Sequence, residues 1–283
     1  MSDLFDFEQR NDQYGVMGNP ITHSKSPRIH TLFAQQTQQH LEYTAIHVDL
    51  GGFDQAVGNF DASGGKGLNI TVPFKQEAYA LVDERSARAE RAGAVNTIKF
   101  EKNKRYGDNT DGVGLVNDLT HNHQITLQGK RILLMGAGGA ARGVLAPLLA
   151  CKPTLLVIAN RTPDKAVALA DAFADLGKVQ GCGYHELDDQ QFDIVINATA
   201  ASLQGELPPL PDKLLADGGV CYDMMYGKLT PFMEWAKAHG AAQVLDGLGM
   251  LVEQAAESFF IWRGIRPETA PVITMLRSEL PTS

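Results

Sequence analysis

Short apolar runs, separated by polar turns that carry glycine, recur along the whole chain at the spacing of strands alternating with helices. In the first part, strand patterns fall at residues 14–18, 43–48, 67–72 and 94–100. Between the first two, Ser26-Pro27 has the form of an N-cap followed by an N1 proline, and Ile29, Leu32 and Phe33 give the helix it opens a buried stripe. Residues 102–109 are polar and read as a turn, and residues 113–119 read as a helix leading out of this first α/β domain, with a boundary near Gly112.

Beyond that point the pattern changes to apolar strands in continuous runs. Arg131–Met135 (RILLM) is followed by a glycine-rich loop and a helical stretch, then by Leu155–Ala159, which together make a βαβ unit. Phe192–Asn197 (FDIVIN) and residues 220–224 (VCYDM) continue the repeat, so the second domain is expected to be doubly wound, with parallel strands and crossover helices. From Gly249 the sequence turns helical again: Leu251, Ala255, Phe259 and Trp262 share one face, and a last helix is expected over residues 267–280.

Composition narrows the class without naming a function. The chain has 283 residues, 44% of them hydrophobic and 20% charged, which suits a globular protein of two domains. A net charge of −8 gives no footing for nucleic acid or an anionic membrane, and a small molecule is the expected partner. Asp3, Asp6 and Glu8 occupy the stretch where a signal peptide would need basic and then apolar residues. The three cysteines, Cys151, Cys182 and Cys221, are odd in number and fall in no paired spacing, so they read as packing thiols in a reducing compartment. A cytoplasmic location is therefore expected. His121 and His123 have no third ligand at motif spacing and read as part of a solvated loop, so no metal is expected.

The loop after Arg131–Met135 carries the first chemistry. Gly136, Gly138 and Ala141 fit G-x-G-x-x-[GA] between a strand and a helix, where glycines permit close approach of a pyrophosphate and the helix N-terminus supplies amide donors. At the end of the next strand, where an NAD site would hold a carboxylate for the ribose 2′-hydroxyl, stand Asn160, Arg161 and Thr162, with Lys165 beyond. Guanidinium, hydroxyl and amide groups suit a 2′-phosphate, so NADP is the expected cofactor.

The first domain carries polar groups in a distinctive order: Ser24 and Ser26 in HSKSP, Asn69, Thr71 and Lys75 in NITVPFK, Asn96 in GAVNT and Asp111 in NTDG. Taken in this order ahead of GAGGAAR, they resemble the shikimate dehydrogenase family from Tyr14 to about Trp262. The resemblance implies a substrate-binding catalytic domain made of residues 1–112 and 248–283, with the C-terminal helices returning to it, and a Rossmann-type NADP domain at residues 113–247. It implies NADPH-dependent, reversible reduction of 3-dehydroshikimate to shikimate, in the biosynthesis of chorismate and the aromatic amino acids, by a monomer or homodimer.

It further implies Lys75 and Asp111 as the catalytic pair, and Ser24, Ser26, Thr71, Asn96, Tyr226 and Gln254 as further substrate contacts. On the cofactor side it implies Gly136, Ala137, Gly138, Gly139, Ala140, Asn160, Arg161, Thr162, Lys165, Met224 and Gly247. The residue types suit the reaction. Hydroxyls of Ser24, Ser26 and Tyr226 can hold a carboxylate, and a protonated Lys75 can stabilise and protonate the oxygen that gains charge as hydride arrives. The chain departs from the family pattern at Ala87, where an acidic residue is frequent, and at Ala200-Ala201-Ser202, where small polar residues and glycine are common. Use of quinate, or tolerance of NAD, is the nearest alternative; a non-catalytic NADP sensor is the alternative from another class, and the presence of Lys75 and Asp111 speaks against it.

Overall fold

The computed structural model describes residues 11–102, 104–199, 201 and 205–280; Asp3, Asp6, Glu8, Ala200 and Ser202 lie outside them. Two compact units result, one drawn from Met1–Ser86, Ala94–Asp108 and Ala255–Glu268, the other from Ala87–Gly93, Asn109–Gln254 and Thr269–Ser283.

The first unit is built on a six-stranded mixed sheet. Its strands are β1 (Asp12–Gly18), β2 (Leu41–His47), β3 (Gly67–Ile70), β4 (Glu84–Arg85), β5 (Thr97–Glu101) and β6 (Lys104–Asp108), in the order β2-β1-β3-β5-β6-β4. β1 pairs parallel with β2 and β3, while β5 runs antiparallel to both β3 and β6. The polar stretch expected to be a turn is thus in large part strand β6, the second arm of a hairpin. Its two basic residues stay at the surface, Lys104 on Glu84 and Arg105 on Asp61, and only its Gly107 and Asp108 are buried.

Helices α1 (Ser26–Thr37), α2 (Phe53–Ala62) and α3 (Lys75–Leu81) belong to this unit. So does the second half of α9 (Leu248–Arg263), whose Trp262 packs 4.8 Å from the Tyr14 ring and donates from its indole to Ile98 O at 2.9 Å. Gly67 makes room for that indole, since a Cβ there would fall 2.4 Å from Trp262 Nε1.

The second unit holds a fully parallel sheet of β7 (Arg131–Met135), β8 (Leu155–Ala159), β9 (Val179–Cys182), β10 (Phe192–Asn197), β11 (Leu215–Asp223) and β12 (Gln243–Asp246). The spatial order is β12-β11-β10-β7-β8-β9, the doubly wound arrangement with its topological switch between β7 and β10. Both faces are covered, which is why RILLM shows no polar alternation. Ile132 and Leu134 join Val144 and Leu148 on one side, and Leu133 and Met135 join Cys221 and Phe232 on the other. The covering helices are α5 (Asp111–Asn117), α6 (Gly139–Ala150), α7 (Pro163–Asp171) and α8 (Pro231–Ala238).

The units divide the chain differently from the boundaries expected from sequence, with residues 87–93, 109–112, 248–254 and 269–283 falling in the second. Polar contacts explain this. On α4 (Ala87–Ala92), Arg91 bonds Asp175 at 2.5 Å; at the start of α10 (Ala270–Glu279), Thr269 Oγ1 donates to Glu253 at 2.6 Å, and at its end Arg277 grips both oxygens of Asp246 at 2.5 and 2.6 Å. Of the expected C-terminal helices, the part returning to the first unit is Ala255–Glu268. His123 is also less solvated than expected: a π-helical turn, Asp118–Asn122, brings it 3.5 Å from the buried carboxylate of Asp118.

One close approach is testable. At Gly181 in β9 a Cβ would sit 2.3 Å from the backbone of Ala166 in α7, where nothing can yield cheaply. Gly181→Ala is expected to lower unfolding free energy by about 1–3 kcal/mol, as overpacked cores do; an unchanged urea midpoint would contradict this contact.

Candidate active site

In the first unit the polar motif residues converge at the carboxyl ends of the parallel strands. Thr71 follows β3, and its amide donates to Met17 O at 3.0 Å. Its methyl lies over Gly18, where a Cβ would come within 2.4 Å. Ile70 N donates to Asn96 O at 2.8 Å, and Val95 N donates to Lys75 O at 2.9 Å, so the NITVPFK and GAVNT segments are joined by backbone hydrogen bonds. Ser26 opens α1, and its amide donates to Ser24 Oγ at 3.3 Å. Ser24, Ser26, Thr71, Lys75 and Asn96 are thus carried on neighbouring segments of one unit.

Lys75 is the first residue of α3, just after Phe74, which is buried and stacked on Phe53 at 5.0 Å. A cation in the first turn gains nothing from the helix dipole. Asn69 behaves differently from its motif neighbours. It is buried, its Oδ1 accepts from Tyr43 at 2.7 Å, and its Nδ2 donates to Asn96 O, Thr97 Oγ1 and Ser258 Oγ at 3.2, 3.2 and 3.0 Å.

The second unit carries Asp111, Tyr226, Gln254 and the expected cofactor residues. Asp111 starts α5 in an Asx turn, its amide bonded to Asn109 Oδ1 at 3.2 Å. Thr110 Oγ1 donates to Gln254 Oε1 at 3.4 Å, while Gln254 Nε2 donates to Leu251 O at 2.8 Å. Gly114 lets α5 approach Gln254, whose Cβ would lie 2.8 Å from an added methyl. Burial pushes the Tyr226 phenol above its usual range, so it stays protonated as a hydrogen-bond donor.

At the switch point a cleft of about 720 Å³ opens, a size suited to a small-molecule cofactor. Gly136, Ala137, Gly138, Gly139 and Ala140 form one wall, Asn160 and Arg161 another. Gly136 has φ +103°, and a Cβ on it would meet Ala198 O at 3.2 Å, whereas Gly138 and Gly139 face open space at the N-terminus of α6. That open glycine cradle, amide-rich and next to an exposed guanidinium, fits a dinucleotide whose phosphates lie on the helix end. Thr162 and Lys165 stand just beyond, at the start of α7.

Met224 and Gly247 are brought together at the ends of β11 and β12, where a Cβ on Gly247 would lie 2.3 Å from Met224 O, but neither is among the described residues lining this cleft.

Sequence reasoning missed part of the wall: Tyr184, His185, Thr199, Glu206, Leu207, Pro208 and Pro209. Only the Asn197-Ala198-Thr199 loop after FDIVIN offered a signal, as the partner of the glycine loop across the switch point. Its geometry is fixed by Asn197 Oδ1, which accepts from Thr199 N at 3.1 Å and Oγ1 at 2.7 Å. Burial pushes the Tyr184 phenol up to about 12, so it remains neutral beside Arg161.

Comparison with known proteins shows the family. Three family patterns match in succession: "Shikimate dehydrogenase substrate binding domain" at residues 16–98, "Shikimate / quinate 5-dehydrogenase" at 118–204 and "Shikimate 5'-dehydrogenase C-terminal domain" at 247–274. Shikimate dehydrogenase (NADP(+)) of Alkalilimnicola ehrlichii is 62% identical over 269 residues, 95% of this chain and 99% of its own. The chain belongs to the shikimate dehydrogenase family.

The enzyme of the same name from Nitrosococcus oceani is 58% identical over 271 residues, covering 95% of this chain and 96% of its own. Among solved structures of similar fold, an Ael1 enzyme from Pseudomonas putida has TM-score 0.89 at 49% identity, covering 94% of this chain and 98% of its own. Shikimate 5-dehydrogenase from Thermus thermophilus, solved with NADP(H) and shikimate, has TM-score 0.84 at 31% identity, covering 95% of this chain and all of its own (100%).

Proposed function

We propose that this protein is an NADP-dependent shikimate dehydrogenase, catalysing the reversible reduction of 3-dehydroshikimate to shikimate on the route to chorismate and the aromatic amino acids. The observation that carries the cofactor choice is Arg161, which lines the dinucleotide cleft at the end of β8 where an NAD site would hold a carboxylate. In this reading the second unit takes the cofactor, and bound NADPH supplies the hydride.

The protein's own groups do the rest. Lys75 offers an ammonium to the carbonyl oxygen as charge develops and hands it a proton, the general-acid role. Asp111 and Gln254 take ring hydroxyls as hydrogen-bond partners, with Thr71 and Asn96. Ser24, Ser26 and Tyr226 hold the carboxylate, and the phenol of Tyr226 suits this because burial keeps it protonated. In shikimate oxidation the same Lys75, neutral, accepts the hydroxyl proton.

Burial raises the thiols of Cys182 and Cys221, to about 11 and about 12, so these are unreactive packing groups suited to the cytoplasm. No helix of the described residues is long and apolar enough to cross a membrane. The family pattern that names quinate beside shikimate supports a second, minor activity on quinate.

Purified protein assayed with shikimate or quinate against NADP⁺ or NAD⁺ tests the whole reading. Shikimate with NADP⁺ is expected to give the highest kcat/KM; no reduction of NADP⁺ with either substrate would overturn it. For Arg161→Ala, NADP⁺ affinity is expected to fall by roughly 10–100-fold, the worth of a charge-assisted phosphate contact, with NAD⁺ affinity nearly unchanged. Equal losses for both cofactors would remove Arg161 from the 2′-phosphate site.

A further inference from the structure

The carboxyl end of the second unit's sheet holds a buried carboxylate to which the reaction gives no direct part. Asp223, the last residue of β11, is fully buried and stands in register with Asn197, the last residue of β10. Its Oδ2 accepts from Asn197 Nδ2 at 3.2 Å and from Thr230 Oγ1 at 2.6 Å, and its Oδ1 accepts from Met225 N at 3.0 Å. A charge enclosed in this way has to be met by donors, and these come from separate segments of the chain. Thr230 is the N-cap of α8, where its hydroxyl oxygen accepts from Met233 N at 3.2 Å.

The other two donors lead towards the cofactor cleft. Asn197 turns its amide nitrogen to Asp223 because its Oδ1 is held by Thr199, which donates from both N and Oγ1 at 3.1 and 2.7 Å. Ala198 and Thr199 line the cleft with the glycine loop, and a Cβ on Gly136 would lie 3.2 Å from both Ala198 O and Thr199 Cγ2. Met225, whose amide is held by Asp223, accepts at its carbonyl from Gly247 N at 2.9 Å. One carboxylate thus ties together the loops that follow β10, β11 and β12.

A doubly wound sheet of this kind is made of two halves, each suited to one mononucleotide of the cofactor. Strands β7, β8 and β9 form the half that carries Arg161 and so takes the adenosine 2′-phosphate, which leaves β10, β11 and β12 for the nicotinamide. We propose that Asp223 is a positioning residue for the nicotinamide end of the cofactor, acting through Asn197 on the Ala198-Thr199 wall and through Met225 on the loops that carry Met224 and Gly247. This rests on the reading of the cleft as the NADP site. It adds a residue outside the cleft wall that sets the shape of one half.

Asp223→Asn keeps the volume and exchanges one acceptor for a donor. If the new amide nitrogen takes the place of Oδ2, it meets the Asn197 amide nitrogen, which cannot turn over while Thr199 holds its oxygen; if it takes the place of Oδ1, it meets the Met225 N–H. Either way one loop loses its tether. In titration calorimetry NADP⁺ affinity is expected to fall about tenfold, the scale of a buried hydrogen bond to a charged group. Adenosine 2′,5′-bisphosphate, which lacks the nicotinamide nucleotide, should bind within about twofold of its affinity for the unaltered protein.

Equal losses for the two ligands mark a general disturbance of the unit, and an unchanged NADP⁺ affinity marks an Asp223 that serves only to anchor α8; either result overturns the proposal. Should Asp223→Asn not fold, Asn197→Ala cuts the tether to Thr199 alone, and the same two titrations decide by the same criterion. An unaltered protein that binds neither ligand instead overturns the assignment of the cleft, and shows this before any variant is made.

Discussion

Turnover of a Lys75→Met variant is expected to fall by roughly 10²–10⁴-fold, the range over which a positioned acid or base contributes. Methionine keeps the length and apolar stem of the side chain and removes only the ammonium, and α3 tolerates it well. The ammonium lies in the first turn of α3, where the helix dipole does not favour a cation. Shikimate affinity should change much less than turnover, because a loss confined to kcat marks an interaction made mainly in the transition state. Steady-state kinetics with shikimate and NADP⁺, together with NADPH binding by fluorescence, provide the check. A folded variant that binds NADPH normally and retains more than about a tenth of wild-type turnover would falsify the catalytic role.

Much of this site could be read in the sequence, because its residues sit in short contiguous motifs at the ends of strands. The bounds of β7, β8 and β10 are those expected from RILLM, residues 155–159 and FDIVIN, since strands buried on both faces have no polar interruption. Strand β6 was hidden because Lys104, Arg105 and Tyr106 are paired or half-exposed at the surface, leaving two buried positions to mark it. β9 and β12 were hidden by being short, with Gly181 breaking the one and a mostly half-buried run making the other. The contacts of α4 and α10 that set the unit boundaries are long-range ion pairs, which no local pattern reveals. The Tyr43 network was equally invisible. Tyr43 on β2 and Asn69 on β3 carry no sign of being bonded until the fold puts them together.

A second large effect is expected from His30, which occupies the buried stripe of α1 between Ile29 and Phe33. Its imidazole is fully enclosed by Tyr43, Phe33, Phe259 and Trp262, and neither ring nitrogen has a hydrogen-bond partner of good geometry. Burial pushes its pKa down to about 3, against 6.5 for an ordinary histidine, an effect that the neighbouring Asn69 side chain offsets only in part. The folded protein thus keeps it neutral where the unfolded chain would protonate it.

Protons therefore favour the unfolded state as the pH drops below 6.5, and the stability present above that value drains away towards pH 3, at about 1.4 kcal/mol per unit. Between pH 7 and about pH 4.5 this amounts to roughly 2–3 kcal/mol, a large share of a normal folding free energy. A His30→Met variant, similar in volume and without a titrating group, should lack that component. Urea unfolding of both proteins at the two pH values measures it. Parallel losses in the two would mean that His30 is not held neutral.

The last strip of chain that the first unit requires, Ala255–Glu268, is separated along the sequence from that unit's sheet by Asn109–Gln254 of the second. Trp262 closes over Tyr14 and Gly67, and Arg263 reaches Asp12, Tyr14 and Gln39, all near the start of the chain. A ribosome delivers these partners in the reverse of the order in which the sheet needs them. Its earliest strands emerge with the aromatic surface of Tyr14, His30 and Tyr43 uncovered, and it stays so until Ala255–Glu268 has been made. A chain that has not yet reached Trp262 is thus stickier than the folded protein, and the codons for residues 255–268 decide when that interval ends.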